Sequence, residues 1–284
     1  YFAKTQRYRR FSSANFLRTL TMVTAQLSLV VVLPGPAGLI AGFALGLAMA
    51  LVLAWPVPIA LLTRVAATPL IALRRARATI LQHRTFIRVD VVNVLIASSI
   101  FSIYPVIVLI GFGAEEAGIF AIASRLVFIP VDVLAGSIST VYFHQFSLAV
   151  RRDEGMIQMF VVTFAWASTT AAAIVVIVLL AADPFVRLFF PPEWAQASNL
   201  MLFLLPTFVA RFIVSCLGST PLALSRPRIL LGWNLAQITV ISLTWIATID
   251  QSLKLFILVS GSGLLMAGAL YVGTLWVLIR KHTG

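Results

Sequence analysis

Basic residues in this chain fall almost entirely into alternate gaps between long apolar runs. Of the 21 Lys and Arg residues, 17 lie in gaps on one side: Lys4 to Arg18, Arg64 to Arg88, Arg151 with Arg152, Arg226 with Arg228, and Arg280 with Lys281. The opposite gaps hold Arg187 and Lys254, together with Glu115, Glu116, Asp183, Glu193 and Asp250. Arg125 and Arg211 lie inside apolar runs. A chain threaded through a bilayer acquires this asymmetry because its basic loops are retained in the cytoplasm. With 61% hydrophobic and 11% charged residues, and mean hydropathy +1.03, the chain has too few polar side chains to cover a water-soluble fold. The sequence therefore predicts an all-α, polytopic transmembrane helix bundle. The net charge of +12 reads as contact with anionic membrane lipids and not with nucleic acid, because the basic residues flank spans and form no aromatic-basic polar face.

A spanning helix needs about 20 apolar residues. Eight candidates appear, at about 14–33, 38–62, 87–112, 117–148, 157–182, 195–219, 229–248 and 254–279. Eight crossings place both ends of this chain in the cytoplasm and every loop on its expected side. The fourth run is too long for one straight crossing and is expected to protrude towards Arg151 and Arg152. Between the second and third spans, Leu70, Leu73, Ile80 and Leu81 alternate with Arg74, Arg75, Arg77 and Arg84. That pattern predicts an amphipathic helix on the inner interface, dividing the chain into 1–62 (two spans), 63–87 (the interfacial helix) and 88–284 (six spans). The chain begins at Tyr1, with a basic loop and no signal peptide, and reads as a piece of a longer protein.

Hydrolytic, metal and cofactor signatures are absent from the sequence. There is no phosphate-loop glycine-lysine motif. His83, His144 and His282 lie in separate segments without paired carboxylates, and Cys216 is the single cysteine. No metal or cofactor is expected, and no catalytic set is argued. The informative residues are the polar ones inside spans. Arg125 lies eight residues into its span, roughly 12 Å deep. Asp132 and Ser139 follow at seven-residue intervals, close to two helical turns, which predicts one shared face with Gly136 between them. An ionised group at that depth costs on the order of 3 kcal/mol, so the stripe should face protein or water. Two readings stand: Arg125 pairs with Asp132 or a neighbouring helix and fixes packing, or the stripe lines a cavity for a charged substrate. Arg211 either shares that cavity or snorkels to the headgroups. Asp90 and Asn93 in the third span, and Asn234 with Gln237 in the seventh, are further cavity candidates, the alternative being hydrogen bonds between helices. Pro105, Pro130, Pro206 and Pro221 predict kinks.

The order of these residues resembles a known family. Glu116-Ala117-Gly118-Ile119-Phe120-Ala121 leading to Ser124-Arg125-Leu126, then Pro130 and Gly136, is similar to the eighth span of bacterial polysaccharide flippases. These O-antigen-type flippases belong to the multidrug/oligosaccharidyl-lipid/polysaccharide exporter superfamily. Phe190-Pro191-Pro192-Glu193-Trp194 resembles the family's Phe-Gly-Pro-Glu-Trp, with Pro191 in place of glycine. Pro206, Arg211-Phe212, Pro221 and the turn Ser225-Arg226-Pro227-Arg228 continue the likeness, which covers essentially the whole chain. Asp132 departs from it, standing where a small or neutral residue is expected.

What the resemblance implies is two six-helix lobes, of which this chain holds the last two spans of the N-terminal lobe and the whole C-terminal six-span lobe, N-terminally truncated by four spans. It implies a non-enzymatic flippase in the bacterial inner membrane. Its cargo would be an undecaprenyl-diphosphate-linked oligosaccharide for surface polysaccharides such as lipopolysaccharide, moved by alternating access, with the glycan polymerase machinery as a partner. Three other readings compete: a multidrug or small-cation exporter of the same superfamily, which calls for an anionic cavity; a membrane-embedded glycan polymerase or ligase, which calls for a large outer loop carrying catalytic arginines or a histidine; and a structural scaffold without transport, which the intramembrane stripe disfavours.

Overall fold

The computed structural model describes residues 17, 20–29, 36–54, 84–248 and 250–283. The described residues are helical, with no strand among them. The chain divides into two compact units, Tyr1–Gln82 and His83–Gly284.

In the first unit, α1 (Leu20–Leu29) and α2 (Pro36–Ala54) form an apolar pair. Gly42 and Gly46, one turn apart on α2, meet Gln26 and Met22 of α1 so closely that a Cβ built on either glycine would lie 2.6 Å and 2.7 Å from the facing side chain. Small residues at one-turn spacing let two backbones approach in lipid, where packing and not water drives association. These helices fall within the first two expected spans, whose remaining residues lie outside those described. The interfacial helix expected at 63–87 also lies outside them as far as residue 83. Its last four residues instead open the long third helix.

The second unit contains α3 (Arg84–Phe112), α4 (Ala114–Pro130), a π-helical turn (Val131–Ala135), α5 (Gly136–Arg152) and α6 (Met156–Phe189). These are followed by α7 (Gln196–Phe203), α8 (Leu205–Leu217), the single turn α9 (Thr220–Ala223), α10 (Arg228–Thr248) and α11 (Leu253–Thr283). Six helical stretches here are long and apolar enough to cross a membrane, the stretch from α4 through α5 counting as one of 39 residues. The protein is a polytopic membrane protein.

Local chemistry explains the boundaries. Glu115 and Glu116 sit in the first turn of α4, and Arg151 with Arg152 in the last turn of α5, each complementing the helix dipole. Between α5 and α6 the chain reverses through Asp153 (φ 55°) and Gly155 (φ 72°). The left-handed Asp153 lets its N–H cap the carbonyls of Ala149 and Val150.

Two boundaries differ from expectation. Helix α6 runs on to Phe189, past the predicted end at 182, because Phe185, Val186, Leu188 and Phe189 continue the apolar run. Asp183 and Arg187, one turn apart, neutralise each other at 2.9 Å. The predicted single helix at 195–219 is instead broken at Leu204 and again after Leu217. Pro206 has no N–H to give to the carbonyl of Leu202, and Pro221 opens a separate turn.

Helix α8 is the hub, packed chiefly against α11 and α6. Over its apolar window 56% is buried, against 11% for α6, whose Leu179, Leu180 and Leu188 face outward. Close approach of α11 is permitted by Gly261, where a Cβ would lie 2.8 Å from Thr207 Oγ1. Two apolar clusters hold the unit together. One gathers Tyr104, Phe120, Phe208, Phe212 and Phe256, and the other Tyr142, Phe146, Met156, Phe160 and Tyr271.

Candidate functional site

Between α3, the α4–α5 stretch, α8 and α10 lies a cavity of about 570 Å³. Its α8 wall is a polar stripe: Thr207, Arg211 and Ser215 recur at one-turn spacing, and Gly218 and Ser219 extend it into the break before α9. The adjacent face of α8, about 100° round, carries Phe208, Phe212 and Cys216 into the core, and their burial fixes the rotation that aims the guanidinium at the cavity. Arg211 stacks over Phe128, its Cζ 4.7 Å from the ring centroid. Its Nη2 lies 3.8 Å from Asp132 Oδ1. The two partners differ in setting: the Arg211 side chain is 19% exposed, that of Asp132 68%.

The π turn decides which residues of the α4–α5 stretch reach this cavity. Phe120, Ser124 and Phe128 line it at one-turn spacing. A continuous α-helix would carry Asp132 and Gly136 on at the same spacing, drifting about 40° per step towards the face of Arg125. The π turn at Val131–Ala135 takes up one residue more than an α turn, and everything after it rotates back by about 100°. Asp132, Gly136 and Ser139 therefore line the cavity with Ser124 and Phe128, while Arg125 is exposed and not among the lining residues. Pro130 immediately precedes the turn; lacking an N–H, it leaves the carbonyl of Leu126 to be satisfied by other means.

The expected stripe is thus corrected. Asp132 and Ser139 stay together, Arg125 leaves them, and Asp132 pairs with Arg211 in its place. Arg211 is in the cavity wall. Asn234 and Gln237 line the cavity too, linked by Gln237 Nε2 donating to Asn234 Oδ1 at 3.4 Å. Asn93 is buried behind them and does not line the cavity. It donates through Nδ2 to the carbonyl of Pro227 at 3.3 Å, and Asn234 Nδ2 reaches the Asn93 carbonyl at 3.4 Å. Asn93 ties α3 and α10 to the Ser225–Arg228 turn. Asp90 lies near the start of α3, and its side chain is outside what is described.

Sequence reasoning missed Thr207, Ser215, Ser219 and Trp233, all in the lining. The four-residue spacing of the α8 stripe was the available signal. Thr207 Oγ1 and Ser219 Oγ are buried without a hydrogen-bond partner. Buried hydroxyls are ordinarily satisfied; Thr207 Oγ1 is instead packed against Gly261 of α11. The chemistry on offer is one buried cation, hydroxyl donors along its helix, two carboxamides opposite, and aromatic faces at Phe128 and Trp233. That set suits an anionic group bearing polar substituents. Among the described residues no group of three His, Cys, Asp or Glu gathers to hold a metal ion.

A family model described as polysaccharide biosynthesis protein matches residues 1–199. No curated protein and no solved structure matches the chain.

Proposed function

The chain belongs to the polysaccharide biosynthesis protein family, and from that premise we propose that it is a flippase. Its cargo is an undecaprenyl-diphosphate-linked oligosaccharide, carried across a bacterial inner membrane by alternating access between two lobes, one of them the six-span unit. The observation that carries this reading is the buried guanidinium of Arg211 in the wall of a 570 Å³ cavity. A diphosphate loses much hydration on leaving water, and a planar guanidinium returns it as charge-assisted, bidentate hydrogen bonds. The hydroxyls of Ser215 and Ser139 and the amides of Asn234 and Gln237 offer partners for the phosphate oxygens and first sugars. No bond is made or broken in such a step, so the protein acts as a carrier and not as an enzyme. Both termini of this chain and the basic loops face the cytoplasm, where the loops hold anionic lipids. The drive is an ion gradient or consumption of the product by the glycan polymerase machinery.

A small-cation exporter is less well served. The buried charge is the cation, and the carboxylate is the exposed member of the pair.

The test is surface polysaccharide in a flippase-null host that expresses the gene. Arg211→Ala abolishes it while membrane abundance stays near normal, and Arg211→Lys retains part, since charge survives but the bidentate fork does not. Normal surface polysaccharide with Arg211→Ala at normal abundance sinks the proposal.

A further inference from the structure

We infer that Gln237 reads the first sugar of the cargo, its amide held so that Oε1 accepts from a sugar hydroxyl; the inference rests on the cargo being a lipid-linked oligosaccharide. The orientation follows from the far end of a chain of three carboxamides. Asn93 is buried, with Nδ2 3.3 Å from the carbonyl of Pro227. A backbone carbonyl can only accept, so the amide nitrogen of Asn93 faces Pro227 and leaves Oδ1 for another donor. Asn234, also buried, meets two acceptors on α3 and gives Nδ2 to both: the Asn93 carbonyl at 3.4 Å and Asn93 Oδ1 at 3.5 Å. Asn234 Oδ1 is then left on the side of Gln237, where it accepts from Nε2 at 3.4 Å. Turning over either the Asn234 or the Gln237 amide would set oxygen against oxygen and strand buried polar groups.

The sense of the chain is thus fixed by main-chain carbonyls behind the cavity, and it ends at the cavity on an oxygen. Gln237 Oε1 has no hydrogen-bond partner among the described residues, and Gln237 lines the cavity one turn after Trp233. Such an oxygen does nothing for a phosphate, whose ionised oxygens also only accept. A sugar ring supplies what is missing. One hydroxyl donates to Oε1, and a neighbouring hydroxyl accepts the second Nε2 hydrogen, so adjacent hydroxyls serve the whole amide. The α10 wall therefore takes the glycan and not the phosphates. Asn234 is a positioning residue, since its own amide is engaged by Asn93 and Gln237 and it acts on the sugar through Gln237. A cargo without hydroxyls at that place leaves Oε1 desolvated and unpaired, which is how a site built to bond a hydroxyl rejects a ligand that lacks one.

The experiment compares two ligands by titration calorimetry on the full 284-residue chain in lipid nanodiscs: farnesyl diphosphate, and its glucosyl ester with glucose on the outer phosphate. Both carry the same tail, so partition into lipid cancels in the ratio of their affinities. The wild type binds the glucosyl ligand roughly three- to tenfold more tightly, the scale of one net neutral hydrogen bond. In Gln237→Met, which keeps the length and loses the amide, the ratio falls to about one. In Asn234→Leu it falls too, because the Gln237 amide is no longer held. A purely structural defect weakens both ligands together and leaves the ratio where it was. Gln237→Met, on the half-exposed residue, keeps the test decisive if Asn234→Leu does not accumulate. A wild type that binds both ligands equally, or a Gln237→Met protein that keeps the wild-type ratio, overturns the sugar contact alone. Binding of the glucosyl ligand but not of farnesyl diphosphate, lost in Gln237→Met, upholds the sugar contact and overturns the diphosphate site. A wild type that binds neither overturns both.

Discussion

Tyr142 on α5 and Thr220 at the start of α9 share a buried hydrogen bond, Oη to Oγ1 at 2.8 Å, and Thr220 Oγ1 also donates to the carbonyl of Leu217 at 2.7 Å. The second bond crosses the break after α8, so one threonine ties the broken helix to itself and to α5. The two partners are not equivalent. Tyr142→Phe leaves Thr220 bonded to Leu217 and should cost about 0.5 kcal/mol, near the mean for hydrogen bonds between membrane helices. Thr220→Val strands the tyrosine hydroxyl and frees the Leu217 carbonyl, and should cost about 1–3 kcal/mol. Thermal unfolding in detergent checks the order; equal losses would mean that the threonine does not bridge the break.

A second expectation concerns the helix pair of the first unit. At Gly42 a Cβ would meet not only the Gln26 side chain but its backbone N and Cα, at 2.7 Å and 2.8 Å. Backbone does not move aside cheaply, so Gly42→Ala should force α1 and α2 apart and lower the amount of protein in the membrane. Gly273 on α11 is the control, with nothing within 4 Å of an added Cβ. Gly273→Ala should be neutral or stabilise by about 0.5–1 kcal/mol through helix propensity. Quantitative immunoblotting of membranes distinguishes the two, and normal levels of Gly42→Ala would show that the helices do not pack as described.

The third expectation is topological. The Gly113 turn and the turn before α11 belong to one side, and the Asp153–Gly155 and Ser225–Arg228 turns to the other. In a Cys216→Ala background, Glu115→Cys and Gln251→Cys should react with an impermeant thiol reagent on intact cells. Asp153→Cys and Pro227→Cys should react after permeabilisation alone. The motive is the segregation of basic loops, and labelling of position 227 on intact cells would reverse the orientation.

Much of this fold was legible because membrane spans are set by run length and loop charge, both one-dimensional quantities. The six long helical stretches of the second unit coincide with apolar runs, and Arg211, Asn234 and Gln237 stood out as polar residues within them. What escaped depends on backbone departures that hydropathy does not record. Arg125 was placed with Asp132 by a periodicity that holds for an unbroken α-helix, and the π turn cancels it. The break at Leu204 and the run to Phe189 depend on how prolines are accommodated, which differs between Pro206 at a helix start and Pro184 inside α6. The hydroxyl stripe was hidden for another reason. Thr169, Thr239 and Thr274 each bond the carbonyl one turn back, the usual fate of hydroxyls in helices. Sequence does not say that Thr207 and Ser219 escape it.

The last prediction isolates the π turn. If Val131–Ala135 contains one residue more than an α-helical path requires, removing one should let the helix close as continuous α while leaving Gly136–Arg152 in its present register. Val133 is the residue to delete, because it is 61% exposed and outside the core. Tyr142 and Phe146 then keep their buried places, and membrane abundance should stay near that of the wild type. Asp132, on the near side of the deletion, would take the place one α turn after Phe128, about 40° round from it towards the face of Arg125. Deleting Val141, 59% exposed in the uninterrupted helix α5, is the control: it turns Tyr142 and Phe146 by about 100° against Gly136 and Ser139 and should lower abundance. Loss of the Val133-deleted protein from the membrane would mean that the turn is not a single-residue insertion.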